Sequence, residues 1–418
     1  MKLLVVSHSP LYKMGSEYFA YDTWIKFPID LSRHFEKLTL VVQVKLVNNG
    51  IVPQNSWKVD LANVRVEDSD IFGDFVSYFK LLPTRYFRWK RQIDNLVNHH
   101  DVVLFRYPNV GVGFVSKATQ RFRKPFIMMI NGDIEKIDRV IGNKGLKKLF
   151  YKFVTKCLVY SEKKCAQKAT VVYAYSRILA ERHRRCGADI RLRMDSHLRK
   201  DNVVFRQDTC QLDEIKLLRI CWVTPLKGLE CLLKAMASLV RKGLKLKLEI
   251  VGSERNLDYR LELESLAKRL GLTDKVVFSA WIPFEKIWEA YDRNDIQIVS
   301  SITEGFPRCI VEGAARGLPL VSTTAGGIPD VMLHEHNALL VPIEDPLAMS
   351  LAIERMVLDH NLRKKIIRNG YRLAEGATFE TLGIKYVDEI KNLVMKEAAK
   401  STYEKNINKE NNSKEKRL

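Results

Sequence analysis

Two glutamates flank a turn where their carboxylates could hold an activated sugar. Glu304 and Glu312 stand eight residues apart, and Gly305-Phe306-Pro307 follows directly after the first of them. We expect a helix to begin just after Pro307, since proline is favoured at the start of a helix. The free amides of such a start attract a phosphate, while carboxylates accept hydrogen bonds from sugar and ribose hydroxyls. The spacing therefore predicts a site for a sugar joined to a nucleoside diphosphate.

The second half of the chain carries the pattern of a framework for these glutamates. From residue 217 onward, short apolar runs alternate with amphipathic segments, which is typical of a parallel sheet covered by helices. Ligands bind such sheets at the carboxyl ends of the strands. Six strands are predicted, at 217–223, 246–251, 276–278, 296–299, 318–321 and 339–341. Glu304 follows the fourth strand and therefore lies at the binding edge.

The first half of the chain predicts a second α/β domain. Its strands are expected at 2–7, 38–44, 102–106, 126–130 and 170–173. We divide the chain into an N-terminal domain at 1–205 and a C-terminal domain at 206–378. A helix at 379–398 is expected to pack back toward the N-terminal domain. The lysine-, asparagine- and glutamate-rich end at 399–418 cannot bury apolar area and is predicted to be disordered.

Composition excludes several classes of protein. Of the 418 residues, 46% are apolar and 28% charged, so we expect globular domains with cores. No run of about 18 apolar residues occurs, and the apolar start reaches Ser7-His8-Ser9-Pro10 too early for a signal peptide. We therefore expect a cytoplasmic protein. Its seven cysteines show no paired-ligand spacing, which predicts neither disulfides nor a zinc site.

The net charge of +20 is concentrated in the N-terminal half. Residues 1–200 carry 36 Lys and Arg against 18 Asp and Glu, whereas residues 201–418 carry 33 against 31. Such a field attracts phosphates, nucleic acid or anionic lipid headgroups. Two segments, 86–91 and 144–168, combine cations with large apolar residues. Both patterns are compatible with an ordinary domain helix and with a membrane-facing surface, and neither forms a recognised nucleic-acid motif.

A longer motif around the glutamates matches a known family. The sequence EGFPRCIVEGAARGLPLV at 304–321, followed by TAGGIPD at 324–330, resembles the signature of the retaining GT-B glycosyltransferases of family 4, also called glycosyl transferases group 1. The resemblance covers nearly the whole C-terminal domain, while the N-terminal half matches in architecture alone. It implies the α/β fold named GT-B, in which two Rossmann-like domains face each other across a deep cleft.

The resemblance also implies roles for individual residues. Lys227 matches the lysine that neutralises the leaving diphosphate, and Glu304 matches the glutamate that contacts the hydroxyls of the donor sugar. We take these two as the catalytic residues. Further donor contacts are implied for Trp281 and Ile282 beside the nucleobase, for Gly305, Phe306 and Pro307 around the sugar and phosphate, and for Glu312 on the ribose.

The N-terminal half offers weaker counterparts of the family's site. Gly15, in the short loop at 13–16, is expected to contact a phosphate. Asn131 and Asp133 stand where the family often presents a histidine near the acceptor, so we take them as acceptor-binding candidates. Trp222 stands where the family usually has an arginine beside the lysine's phosphate.

The implied reaction moves a hexose, with retention, from a nucleotide-diphosphate sugar to a lipid-linked or polysaccharide acceptor, without a metal or other cofactor. By analogy, the product belongs to capsule, exopolysaccharide or lipopolysaccharide synthesis at the inner face of the cell membrane. The expected partners are a nucleotide sugar, that acceptor and an anionic membrane surface, but not nucleic acid. Two alternatives stay open: a GT-B nucleotide-sugar epimerase, which would need acid–base groups at the sugar and no acceptor, and a nucleic-acid-binding protein that uses the N-terminal charge.

Overall fold

The structure, a computed structural model, describes residues 1–47, 50–53, 56–72, 75–132, 146–185, 187–194, 196–253, 257–283 and 286–415. In chain order the strands are β1 (Lys2–Val6), β2 (Leu11–Met14), β3 (Glu17–Ala20), β4 (Lys37–Val42), β5 (Val44–Leu46), β6 (Trp57–Lys58), β7 (Val64–Asp68), β8 (Val102–Tyr107), β9 (Phe126–Ile130), β10 (Val171–Ala174), β11 (Ile190–Leu192), β12 (Ile215–Ile220), β13 (Leu246–Val251), β14 (Val276–Ser279), β15 (Ile296–Val299), β16 (Leu320–Thr323) and β17 (Leu339–Val341). The α-helices are α1 (Lys26–Ser32), α2 (Phe75–Asn98), α3 (Val112–Arg121), α4 (Leu146–Ala166), α5 (Arg177–Arg184), α6 (Leu229–Arg241), α7 (Leu257–Arg269), α8 (Ile287–Asp292), α9 (Cys309–Ala315), α10 (Pro346–Leu358), α11 (His360–Gly376) and α12 (Ile384–Glu415).

Two parallel sheets form the framework. The N-terminal sheet has the strand order β11-β10-β9-β8-β1-β4-β7, and the C-terminal sheet has the order β14-β13-β12-β15-β16-β17. In both sheets the chain winds outward from its first strand in one direction and then in the other. This doubly wound order places a crevice between β1 and β8 and another between β12 and β15, where such sheets bind ligands. The predicted pair of Rossmann-like domains is therefore present.

Helices cover both faces of the N-terminal sheet. The helices α2, α3 and α4 pack side by side on one face, where Trp89, Val115 and Leu158 join the core. On the other face, Phe27 and Leu31 of α1 are buried against the sheet. In the C-terminal domain α6 packs on α10, with Leu232, Met236, Met349 and Ile353 in one apolar cluster.

A small third sheet was not predicted. Its order is β5-β2-β3-β6, and β2 and β3 form an antiparallel hairpin that lies outside the two parallel sheets. The side chains of this hairpin are mostly half-buried, so its sequence lacks the apolar runs that mark the parallel strands.

The C-terminal helix crosses back to the first domain. Phe379 and Ile390 are buried in the same apolar cluster as Phe27 of the N-terminal domain, and the hydroxyl of Tyr173 donates a hydrogen bond to Glu389. The helix continues to Glu415, past residue 399, where we expected order to end. Lysine, glutamate and alanine favour helix, so a packed helix can extend through this segment.

The chain already contacts the second domain just before the predicted border at residue 205. Leu198 already packs with Phe306 and Val311 of the second domain, and the amide of Val204 donates to the carbonyl of Ala315 at 2.9 Å.

Among the described residues, no helix is both long enough and apolar enough to cross a membrane.

Candidate functional site

A cavity of about 510 Å³ lies between the two domains. His8, which follows β1, and Arg106, near the end of β8, belong to its N-terminal wall. Trp222, Ser253 and Glu304 belong to its C-terminal wall and follow β12, β13 and β15. Both domains therefore present the carboxyl ends of their strands to one cavity, as expected for a ligand site in this fold.

Lys227 is held in the cavity by a tight turn. Residues Pro225–Lys227 form one turn of 3₁₀ helix, and Gly228 after it takes the left-handed conformation with φ +59°. A Cβ at Gly228 would lie 2.1 Å from the carbonyl oxygen of Ser300, so this close approach requires glycine. The Ser300 hydroxyl in turn donates to the Lys227 carbonyl at 2.8 Å. The turn is thereby tied to the loop that carries Glu304.

The charged groups of the C-terminal wall are arranged around the carboxylate of Glu304. The ammonium of Lys227 donates to its Oε1 at 2.6 Å, and the hydroxyl of Ser301 donates to the same oxygen at 2.7 Å. The guanidinium of Arg219 lies 4.0 Å away. Burial by itself would raise the pKa of Glu304, but the charges of Lys227 and Arg219 and the two hydrogen bonds outweigh it and lower the pKa. Glu304 is therefore ionised at neutral pH.

Arg219 supports this arrangement from inside the protein. It lies on β12, is 1% exposed, and donates to the hydroxyl of Ser301 at 2.6 Å. Trp222, three residues later, lines the cavity at the position where the family usually has an arginine. Position 222 thus presents an indole ring to the cavity. The positive charge of the nearby Arg219 acts on Glu304.

Glu312 reaches the same cavity from α9. That helix begins at Cys309, two residues after Pro307 and one residue later than the predicted start. The buried hydroxyl of Tyr291 on α8 donates to Oε2 of Glu312 at 2.7 Å. Burial and the negative charge of Glu312 raise the pKa of Tyr291 well above its usual value, so the hydroxyl stays a donor. This bond fixes the carboxylate at the cavity wall.

Of the other C-terminal residues predicted to contact the sugar donor, four line the cavity and Gly305 lies where the domains touch. Trp281, Ile282, Phe306 and Pro307 line the cavity. Gly305 lies where the domains touch, since a Cβ there would be 2.4 Å from the carbonyl oxygen of Asn131.

Of the predicted N-terminal residues, Gly15 and Asn131 lie outside the described lining of the cavity. Asn131 follows β9 and packs its backbone against Gly305, outside the described lining of the cavity. Asp133 lies outside the described residues. Gly15 is exposed in the turn between β2 and β3, where its φ of +60° serves the hairpin, and it too lies outside the described lining. The phosphate contact of Gly15 stays a prediction.

The sequence reasoning missed the N-terminal wall. One guanidinium nitrogen of Arg106 donates to Oδ2 of Asp22 and to the hydroxyl of Ser9, both at 2.6 Å. His8 stands beside this pair and also lines the cavity. A signal was available, because His8 and Arg106 are polar residues at the carboxyl ends of predicted parallel strands. Arg308, inside the quoted motif, also lines the cavity and was given no role.

The described residues of this cavity do not include a cluster of side chains that could bind a metal ion. Among the residues that the structure describes, no three His, Cys, Asp or Glu side chains come close enough together to hold a metal ion. Metal independence stays a prediction.

Comparison with known proteins supports the two-domain reading. Residues 205–373 match the family model described as glycosyl transferases group 1. Protein CapJ of Staphylococcus aureus is 24% identical over 397 residues, which are 92% of this chain and 93% of CapJ. The lipopolysaccharide core biosynthesis glycosyltransferase LpsE of Rhizobium meliloti is 33% identical over 150 residues, 36% of this chain and 42% of LpsE. As with LpsE, the alignments with most of the curated relatives span less than half of each relative's length.

Solved structures extend the likeness to both domains. Anabaena HepE in complex with UDP superposes with a TM-score of 0.67 at 16% sequence identity, covering 94% of this chain and all of HepE. A second HepE structure contains UDP-glucose and gives a TM-score of 0.65. Residues 205–373 are therefore similar to the glycosyl transferases group 1 family, and the two domains together adopt the GT-B fold.

Proposed function

We propose that the chain is a metal-independent glycosyltransferase that moves a hexose from a nucleotide-diphosphate sugar to a lipid-linked or polysaccharide acceptor, with retention of configuration. The observation that carries the proposal is the Lys227–Glu304 pair, joined at 2.6 Å in an interdomain cavity that also presents Glu312. The presence of UDP and UDP-glucose in the HepE structures supports this class of donor.

Lys227 is suited to the leaving group. An ammonium carries three donors, so the bond to Glu304 leaves others for a diphosphate oxygen. The side chain is 20% exposed, which keeps it open to the cavity while much of the bulk water is excluded. A fixed cation in such a place stabilises the negative charge that develops as the sugar leaves the diphosphate.

The two carboxylates are suited to hydroxyl groups. Glu304 is ionised and fixed by Lys227 and Ser301, so it can accept hydrogen bonds from the hexose. Glu312 is oriented by Tyr291 and can accept from the two ribose hydroxyls. Retention follows from the family resemblance, in which the departing phosphate takes the proton of the acceptor hydroxyl on the same face of the sugar.

An anionic membrane is the proposed surface on which the acceptor is met. The helix α4 buries Val154 and Leu158 on the sheet. One face of this segment is therefore that of an ordinary domain helix. Its other face exposes Leu149 by 67% and Phe153 by 65%. On the exposed faces of α4 and of α2, which both contact α3, the cations and aromatic residues are Lys152, Lys156, Lys164, Tyr160, Phe87, Arg88 and Arg91.

The charge of this surface favours anionic lipid. The one acidic residue in α4, Glu162, is buried against His183, so its charge does not oppose the exposed lysines. Exposed large apolar side chains among lysines can enter the headgroup region, and each cation near the surface contributes about 1 kcal/mol. LpsE and its lipopolysaccharide pathway support a lipid-linked or cell-surface acceptor for this enzyme.

We expect the protein to sediment with vesicles that contain phosphatidylglycerol and not with vesicles of phosphatidylcholine alone. Phe153→Ser should reduce the bound fraction severalfold, because it removes an exposed apolar side chain from the surface. Leu358→Ser is the matched control, since Leu358 is 71% exposed on α10 of the other domain. Equal sedimentation with both vesicle types, or equal loss in both variants, would remove the membrane from the proposal.

The donor is tested by thermal unfolding with UDP, GDP, ADP and their hexose conjugates. A ligand present at about a hundred times its Kd stabilises the folded state by about 2.7 kcal/mol, which raises the melting temperature measurably. We expect one nucleotide series to do so. No shift with any of them would contradict the proposal, and release of an isomerised sugar without an acceptor would favour an epimerase instead.

A further inference from the structure

His8 lines the cavity but has no part in the proposed reaction. It faces the cavity that Lys227 and Glu304 line from the other domain. Its Nδ1 is buried and has no hydrogen-bond partner among the described residues. A neutral imidazole offers one donor and one acceptor nitrogen, and a buried polar atom is normally satisfied by some partner. A ligand in the cavity is the natural partner for this ring.

A fixed ion pair stands beside His8. Arg106 is bonded to Asp22 and Ser9, and its guanidinium lies 4.4 Å from the ring centroid of Trp24. Burial would raise the pKa of Asp22, but Arg106, the hydrogen bonds and the more distant Arg308 lower it far below its usual range. Asp22 therefore stays ionised at any pH near neutrality.

This environment keeps His8 neutral when the cavity holds no anion. Burial has the largest effect and the charge of Arg106 the next, and together they lower the pKa of His8 to about 4, against the opposing charge of Asp22. Across the cavity, Lys227 also carries a positive charge, which Glu304 largely balances. A neutral ring at this place is thus a consequence first of burial and then of the charge of Arg106.

We propose that His8 takes up a proton from solvent when a sugar diphosphate enters the cavity, and then binds that diphosphate as a cation. The inference rests on the proposed function, which supplies the anion. An opposite charge within about 4–6 Å raises the pKa of a histidine by about 1–3 units. The imidazolium would give the diphosphate a positive contact on the N-terminal wall, while position 222 presents an indole ring.

The sign of the pH dependence follows from linkage. A group whose pKa is raised by a ligand binds a proton together with that ligand. The affinity for the diphosphate should therefore increase as pH falls through the pKa of His8 in the complex, and level off near the value of about 4 in the free protein. Glu304 and Asp22, with lowered pKa values, stay ionised through most of this range.

The test is calorimetric titration with UDP-glucose at pH 7.5 and pH 5.5, in buffers of different ionisation enthalpy. UDP-glucose is chosen because its diphosphate keeps the same charge over this range. A rise of about two pKa units predicts about fourfold tighter binding at about pH 5.5 than at about pH 7.5, with uptake of more than about half a proton at the lower pH. His8→Gln should lose both effects, while His99→Gln, at the exposed end of α2, should keep them.

The outcomes separate this inference from the proposed function. Binding of UDP-glucose with the same affinity at both pH values and no proton uptake would overturn the role of His8 and leave the donor site intact. Persistence of the pH effect in His8→Gln would do the same. If His8→Gln unfolds, proton uptake by the wild-type protein still decides. If neither UDP-glucose, GDP-mannose nor ADP-glucose binds, the proposed function and this inference fail together.

Discussion

At the scale of single residues, the candidate site is built from charges that are buried in pairs. Glu304 is held by Lys227 and Ser301, and Arg219 lies behind it. Glu312 is held by the buried hydroxyl of Tyr291. Removing one member of such a set leaves its partner poorly compensated, so each substitution affects both the fold and the ligand.

Removal of the charged side chain of Lys227 or of Glu312 should weaken binding of the nucleotide sugar strongly. We expect Lys227→Ala and Glu312→Ala each to lower the affinity for the nucleotide sugar about tenfold to a hundredfold, since a hydrogen bond to a charged group contributes about 1.5–3 kcal/mol. Titration calorimetry of each variant measures the change.

Matched variants exclude a general effect of lost charge. Lys234→Ala on α6 and Glu262→Ala on α7 remove exposed side chains of the same types away from the cavity. Both should bind the nucleotide sugar as the wild-type protein does. Equal affinity in Lys227→Ala and Lys234→Ala would show that Lys227 does not touch the donor.

At the scale of elements, the site depends on turns that follow parallel strands. The turn at Pro225–Lys227 is pressed against Ser300, and Gly228 alone makes that approach possible. A side chain at position 228 must push the turn away from the loop of Glu304. The placement of Lys227 is thus decided by backbone contact as much as by its own side chain.

Gly228→Ala should therefore abolish measurable binding of the nucleotide sugar. Gly243→Ala is the control, because Gly243 also has a positive φ, of +97°, but a Cβ there meets nothing within 4 Å. We expect Gly243→Ala to melt earlier by an amount that reflects about 1 kcal/mol for the strained backbone, and Gly228→Ala to melt earlier still because of its clash with Ser300. Only Gly228→Ala should lose binding. Retained binding in Gly228→Ala would refute the importance of the turn.

The parallel strands could be read from the sequence because they are buried on both faces. The strands β9, β13, β15 and β17 have the bounds that their apolar runs predict. The hairpin β2–β3 could not be read in this way, since its half-buried residues give no such run. The sequence therefore did not show that Gly15 closes a hairpin, and its phosphate contact stays a prediction.

At the scale of the whole molecule, the cavity exists only because two domains meet. The amide of Arg177 donates to Asp330 at 2.5 Å across this junction, and Gly305 touches Asn131. The C-terminal helix packs on the N-terminal core through Phe379 and Ile390, which ties the two units together again. A ligand bound between the two walls would therefore contact both domains at once.

The sequence places His8 and Arg106 at strand ends but does not show which distant residues they meet. Ser9, Asp22 and Arg106 lie far apart in the chain and meet only through the order of β1 and β8 in the sheet. The C-terminal wall was predictable because Glu304 and Glu312 lie within one continuous motif. Three-dimensional proximity between distant polar residues has no periodic signature along a sequence.

The most direct test is a crystal structure of the protein with the sugar nucleotide that raises its melting temperature most. The account predicts the diphosphate between the two domains, with one of its oxygens about 3 Å from the ammonium of Lys227 and the ribose hydroxyls on Glu312. A nucleotide bound outside this cavity, or one inside it that leaves both Lys227 and Glu312 without contact, would contradict the account.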